Sequence, residues 1–183
     1  NIKILHITNF NERHDGRLFY NTGRRINNGF VRLNHSVLTI SDRDIISNHR
    51  TLKDIDGSKK LNLKVLDTIS NYVPDLIVFG HADSIDIDTL DFIRAYYPRI
   101  KMSQWFLDKM DSGWVRNKKR FMDKINSMDC SFCTTYPKEL KIDKSNKVYY
   151  MPNPADISFE TLKCYENNNQ TSDLFFAMSH GVH

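Results

Sequence analysis

The sequence predicts an α/β protein: a doubly wound, mostly parallel sheet with helices on both sides. Three observations carry this. Short apolar runs of strand length alternate with longer segments whose apolar residues recur at helical spacing. The links between them are short, as right-handed crossovers between parallel strands require. And Leu76 to Phe79 is apolar without interruption, the pattern of a strand covered on both faces.

Ile2 to Ile7 is the first strand. Leu18, Thr22, Ile26 and Phe30 then recur every four residues, one buried face of a helix expected to end at Asn28-Gly29. Ser36 to Ile40 is the second strand. Asp42 to Lys60 is polar and irregular, read as a loop or weak helix on the surface. Leu61, Val65, Leu66, Ile69 and Tyr72 form the next helical stripe, stopped by Pro74. After the strand Leu76 to Phe79, Leu90, Ile93, Tyr96 and Tyr97 give a helix closed by Pro98. Ile100 to Phe106 is a strand, and Trp114 to Met128 is a helix with Phe121, Met122 and Ile125 inward. Cys130 to Thr134 and Val148 to Met151 complete the strands.

Composition bounds the function classes. The chain has 183 residues, 40% of them hydrophobic, enough for a sizeable core. A net charge of +4 is spread along the chain, which permits an anionic substrate without demanding nucleic acid. No run approaches the roughly 20 apolar residues of a membrane span. Three cysteines, two of them in an apolar run, fit a reducing compartment. A cytoplasmic protein is expected, with peripheral contact at the inner face of the membrane left open.

In an open parallel sheet, ligands bind beyond the carboxyl ends of the strands, so residues there carry the most weight. After the first strand, Gly16 stands near an expected helix start, where free amides and the dipole favour an anion. The GxGxxG fingerprint is absent, which argues against a nicotinamide dehydrogenase. His14 and Asp15 pair as a base and its orienter, or are simply solvated. His81 follows Gly80 at a strand end, placed as a base or as a donor to a sugar hydroxyl. Its structural alternative is to cap Asp83 or the following helix. Asp108 and Asp111 suit acid/base work or hydroxyl binding, or capping ahead of Trp114. Lys118-Lys119-Arg120 reads as a solvated face that could also meet phosphate or acidic lipid. Cys130 and Cys133 form a CxxC only in spelling, since three residues along a strand point to opposite faces. His180 and His183 have no further ligand in view, so no metal site is expected.

The order of strand ends resembles the N-terminal half of GT-B fold glycosyltransferases, in the glycogen-synthase-like and mannosyltransferase-like group. The matching stretches are Lys3-Ile-Leu-His-Ile-Thr, Asn34-His-Ser-Val-Leu-Thr-Ile and Pro74-Asp-Leu-Ile-Val-Phe-Gly-His. They continue with Met128-Asp-Cys-Ser-Phe-Cys-Thr-Thr and Val148-Tyr-Tyr-Met-Pro-Asn-Pro-Ala-Asp. The resemblance implies a Rossmann-like domain that holds the acceptor, a second domain that holds a nucleotide sugar, and transfer between them with no cofactor and no essential metal. It implies that His81 lines the donor sugar and that Gly16 approaches the donor phosphates. The family's glycine pair is missing here, because Asp15-Gly16 stands alone. Trp105-Phe-Leu-Asp108 is nearer to a spore-coat-associated and polysaccharide-associated branch.

The resemblance also divides the chain: residues 1–155 as the first domain, 156–172 as a linker, and 173–183 as the first strand and loop of the second. On this reading Asp173 to Met178 is a fresh strand, with His180 and Gly181 in the loop after it. The expected function is transfer of a sugar from a nucleotide donor to a glycan or lipid-linked acceptor in cell-surface polysaccharide assembly. His81 and Asp111 are the catalytic candidates; His14, Asp15, Gly16, Asp108, His180 and Gly181 bind donor or acceptor. The fragment alone is expected to be inactive. The alternatives are a non-catalytic flavodoxin-like binding module and a sugar-nucleotide epimerase of the same architecture.

Overall fold

A computed structural model describes residues 1–166, except 53, 56, 112 and 144, together with residue 169. The strand expected over Asp173 to Met178, the loop with His180 and Gly181, and most of the end of the expected linker lie outside the described residues.

Six strands form one sheet: β1 (Lys3–Thr8), β2 (Ser36–Ser41), β3 (Leu76–Gly80), β4 (Lys101–Phe106), β5 (Cys130–Cys133) and β6 (Val148–Tyr150). Their order is β2-β1-β3-β4-β5-β6, and every neighbouring pair is parallel. The helices are α1 (Thr22–Arg32), α2 (Asp42–Asn48), α3 (Ser58–Tyr72), α4 (Ile87–Tyr96) and α5 (Val115–Ile125). This is the doubly wound, Rossmann-like α/β fold that the alternation predicts.

Strand alternation sorts the core into two layers. Leu5, Ile7, Ile77, Phe79 and Met102 face α3 and α4, whose Leu61, Val65, Ile69, Leu90 and Ile93 are buried against them. Phe106 and Cys133 extend that face to Phe121 and Ile125 of α5. Ile4, Val78 and Trp105 point the other way, toward Ile26 and Phe30 of α1. Helices on both faces follow from the chain leaving β1 for β2 and returning across β1 to β3. That reversal opens a crevice beyond the carboxyl ends of β1 and β3.

Two elements differ from expectation. The first helix begins at Thr22, not at Leu18, which is exposed; the Asn21 side chain caps it by accepting from the Arg24 amide at 3.1 Å. It also runs through Asn28-Gly29. The stop is Asn34, in the left-handed conformation at φ 60°, with His35 N–H donating to Phe30 O and Asn34 N–H to Val31 O. Phe30 packing on the sheet outweighs the intrinsic cost of Gly29 within a helix. The second difference is Asp42–Asn48, a regular helix where a surface loop or weak helix was expected, with Asp42, Asp44 and Ile46 all buried.

The chain after β6 folds back onto α1. Arg32 donates twice to Asp156, each at 2.8 Å, and Arg25 donates to Glu160 at 2.8 and 2.6 Å. The start of the expected linker is therefore pinned to the first helix. Among the described residues, no helix is long and apolar enough to cross a membrane.

Candidate functional site

The crevice holds about 300 Å³ and is walled by five chain segments. Thr8 and Asn9 end β1, Asn21, Thr22 and Gly23 begin α1, and Asp42 and Arg43 begin α2. Gly80 and His81 end β3, and Trp105, Leu107 and Asp108 come from the end of β4. Close approach is built in. A Cβ on Gly80 would overlap the Trp105 ring, and one on Gly23 would lie 2.7 Å from the Thr8 methyl. The Thr22 and Gly23 amides carry no hydrogen bond among the described residues, so the start of α1 presents two free donors to the crevice.

The backbone at His81 is strained. His81 and Ala82 both take positive φ, 58° and 45°, a conformation that costs non-glycine residues roughly 1–3 kcal/mol each. The buried Lys124 holds it, its ammonium donating to His81 O at 2.7 Å and Ala82 O at 3.2 Å. Strain kept in place by a buried cation marks a geometry that the surroundings over-determine.

The His81 ring stacks on Phe106 at 4.3 Å between centroids. Its Nε2 accepts from the Leu107 amide at 3.3 Å, which places the proton on Nδ1, 3.6 Å from Asp108. Burial pushes its pKa down, against the pull of Asp108 and Asp83. The neutral ring therefore offers the crevice a donor. The lone pair that a base would need is already engaged.

The base-like group is Asp42. It is 3% exposed, accepts from the Arg43 amide at 2.7 Å, and is pushed up to about 6, first by burial and further by Asp83 and Asp44. A carboxyl poised near neutrality at the wall of a crevice suits proton transfer. Its neighbour Asp44 is organised the other way. Burial raises it, but hydrogen bonds from Ser41, Glu12 and Arg13 more than reverse this and fix the loop after β1.

Of the residues singled out in the sequence, His81 and Asp108 meet at the crevice. His14, Asp15 and Gly16 do not line it: they form a short 3-10 turn and its exit, and the helix amides begin six residues beyond Gly16. Gly23 occupies the position expected of Gly16. Asp111 lies apart, ion-paired with Lys109 at 2.8 Å, which holds its carboxyl below the usual range. It borders a different hollow, with Thr134, Thr135 and Glu139. His180 and Gly181 lie outside the described residues. Lys118 and Arg120 are not a solvated face: Lys118 donates to Leu140 O, and Arg120 pairs with Asp83 and Asp108. Cys130 and Cys133 fall on opposite faces of β5, the first half-buried and the second buried.

Asp42, Gly23 and Lys124 were not singled out in the sequence. Asp42 had a visible signal, a carboxylate directly after a strand end. Gly23 had another, an Asn-Thr-Gly cap ahead of a helix. Lys124 had none, because the fifth basic residue of a charged helix looks like its neighbours until the packing is known. Comparison with family models, with curated proteins and with solved structures finds no match for this chain.

Proposed function

We propose that this chain is the acceptor-side domain of a glycosyltransferase that moves a sugar from a nucleotide-activated donor to a glycan or lipid-linked acceptor in cell-surface polysaccharide assembly. One observation carries the reading: a carboxylate poised near neutrality, an imidazole N–H donor and two free helix amides line a single polar crevice at the switch point of the sheet. In the proposed reaction Asp42 takes the proton of the acceptor hydroxyl as that oxygen bonds to the anomeric carbon. The bond from that carbon to the donor phosphate breaks, and the nucleotide leaves with the electron pair. His81 Nδ1–H positions a sugar hydroxyl, and the start of α1 receives phosphate oxygens. A second domain completes the site, and the reaction belongs in the cytoplasm at the inner face of the membrane.

The strand order favours a second reading. A single strand outside β1 is the arrangement of flavodoxin-like sheets, which bind small ligands at the same switch point. The test is the product of the complete reading frame, incubated with labelled nucleotide sugars and polysaccharide or lipid-linked acceptors. Transfer that falls with Asp42→Asn, and with His81→Ala in protein that remains folded, supports the transferase. Tight ligand binding with neither transfer nor hydrolysis supports the binding module.

A further inference from the structure

A second hollow, of about 430 Å³, adjoins the crevice, and Arg43 lines both. Its wall is formed by Arg43, Asp83, Trp114, Arg116, Asn117 and Arg120. Charge here is uneven. Arg120 is committed to Asp83 and Asp108, while Arg43 reaches Asp83 only at 3.8 Å, and Arg116 has no ion pair among the described residues. Arg116 therefore remains uncompensated, and Arg43 shares Asp83 with Arg120 and Lys124.

The start of α5 breaks a local rule at the same place. Its cap residue is Trp114, which supplies no side-chain hydrogen bond, where a serine or aspartate would satisfy the open amides. The amides of Val115, Arg116 and Asn117 accordingly have no partner among the described residues. The indole is 45% exposed beside them, although Trp105, the chain's other tryptophan, is buried. A large aromatic at a position that stability would give to a polar cap is expected where a ligand uses the ring.

We propose that this hollow is the subsite for an anionic pyranose of the acceptor, its carboxylate or phosphate held by Arg43 and Arg116 and its C–H face stacked on Trp114. The proposal rests on the acceptor-side reading above. Guanidinium forks match the oxyanion of a uronate or of a sugar phosphate equally well.

The experiment is titration of the complete protein with a glucuronic-acid disaccharide, its neutral glucose counterpart, glucose 1-phosphate and inorganic phosphate, followed by calorimetry and tryptophan fluorescence. The charged sugars are expected to bind about tenfold or more tighter than the neutral one, and Arg116→Gln to remove about tenfold of that preference. The stronger of the two charged sugars identifies the acceptor's anion as carboxylate or phosphate. Trp114→Ala should abolish the fluorescence change and weaken all sugars alike. Both substitutions are on the surface, and urea unfolding checks that each variant is intact.

Equal binding of charged and neutral sugars, or indifference to Arg116→Gln, would overturn the subsite. So would inorganic phosphate binding as tightly as glucose 1-phosphate, or a nucleoside monophosphate outcompeting every sugar. Charged-sugar binding that depends on Arg116 and Trp114, without transfer from any nucleotide sugar, upholds the subsite and overturns the transferase. Transfer to neutral acceptors alone does the reverse.

Discussion

Replacing Asp42 by Asn is expected to make the protein more stable at neutral pH, and the size of the gain follows from the burial of its carboxyl. In the folded chain the group titrates at about 6, against 3.8 when free. A raised value means that the folded state binds the proton more tightly than the unfolded state. The stability linked to it is complete below about pH 3.8 and is lost as pH rises through 6. Two units correspond to about 3 kcal/mol, so at pH 7.5 the ionised carboxylate costs about that much, and at pH 5 about half. Asparagine keeps an oxygen to accept the Arg43 amide and carries no charge to desolvate. Urea unfolding should place the variant's midpoint about 1 to 2 M above the parent at pH 7.5, with the gap narrowing at pH 5. A variant less stable than the parent at pH 7.5, or a gap that ignores pH, would show that burial does not raise the Asp42 carboxyl. A stabilising change that abolishes activity is the signature of a group kept for function.

Three further outcomes follow from the same physics. Burial pushes His6 down to about 4, so stability linked to it is lost as pH falls from about 6.5 to 4, by up to about 3 kcal/mol; an NMR titration of the imidazole near pH 6.5 would contradict this. Lys124→Met leaves the strained His81 and Ala82 carbonyls without their donor and should cost about 2–4 kcal/mol, read as a lower urea midpoint; an unchanged midpoint would show that the clamp is dispensable. Arg32→Ala releases Asp156, whose carboxyl Arg32 holds well below the usual range. Limited proteolysis should then cut near residues 152–160 while the sheet stays intact, and unchanged resistance would deny that the pair anchors this segment.

The layers of the fold were legible because period and punctuation agreed. Leu61 to Tyr72 and Leu90 to Tyr97 repeat at helical spacing and are closed by prolines, and both are helices as read. Legibility failed where tertiary contacts overrode local preference. Gly29 sits inside α1 because Phe30 anchors that turn, and Asp42–Asn48 is helical although its polar residues gave no stripe. His81 and Asp108, singled out from their strand ends, both line the crevice. Asp111, three residues further along the same loop, turns toward Lys109 and borders another hollow. Strand order is not written in a single sequence at all, and it decides which loops face each other.

The decisive measurement is sugar transfer by the product of the complete reading frame. Labelled sugar from a panel of nucleotide donors should appear on a polysaccharide or lipid-linked acceptor, and Asp42→Asn should reduce that turnover at least about a hundredfold in a protein that is more stable than its parent. Turnover unchanged by Asp42→Asn would remove the crevice from the chemistry. Absence of both transfer and hydrolysis with every donor would contradict the assignment as a glycosyltransferase.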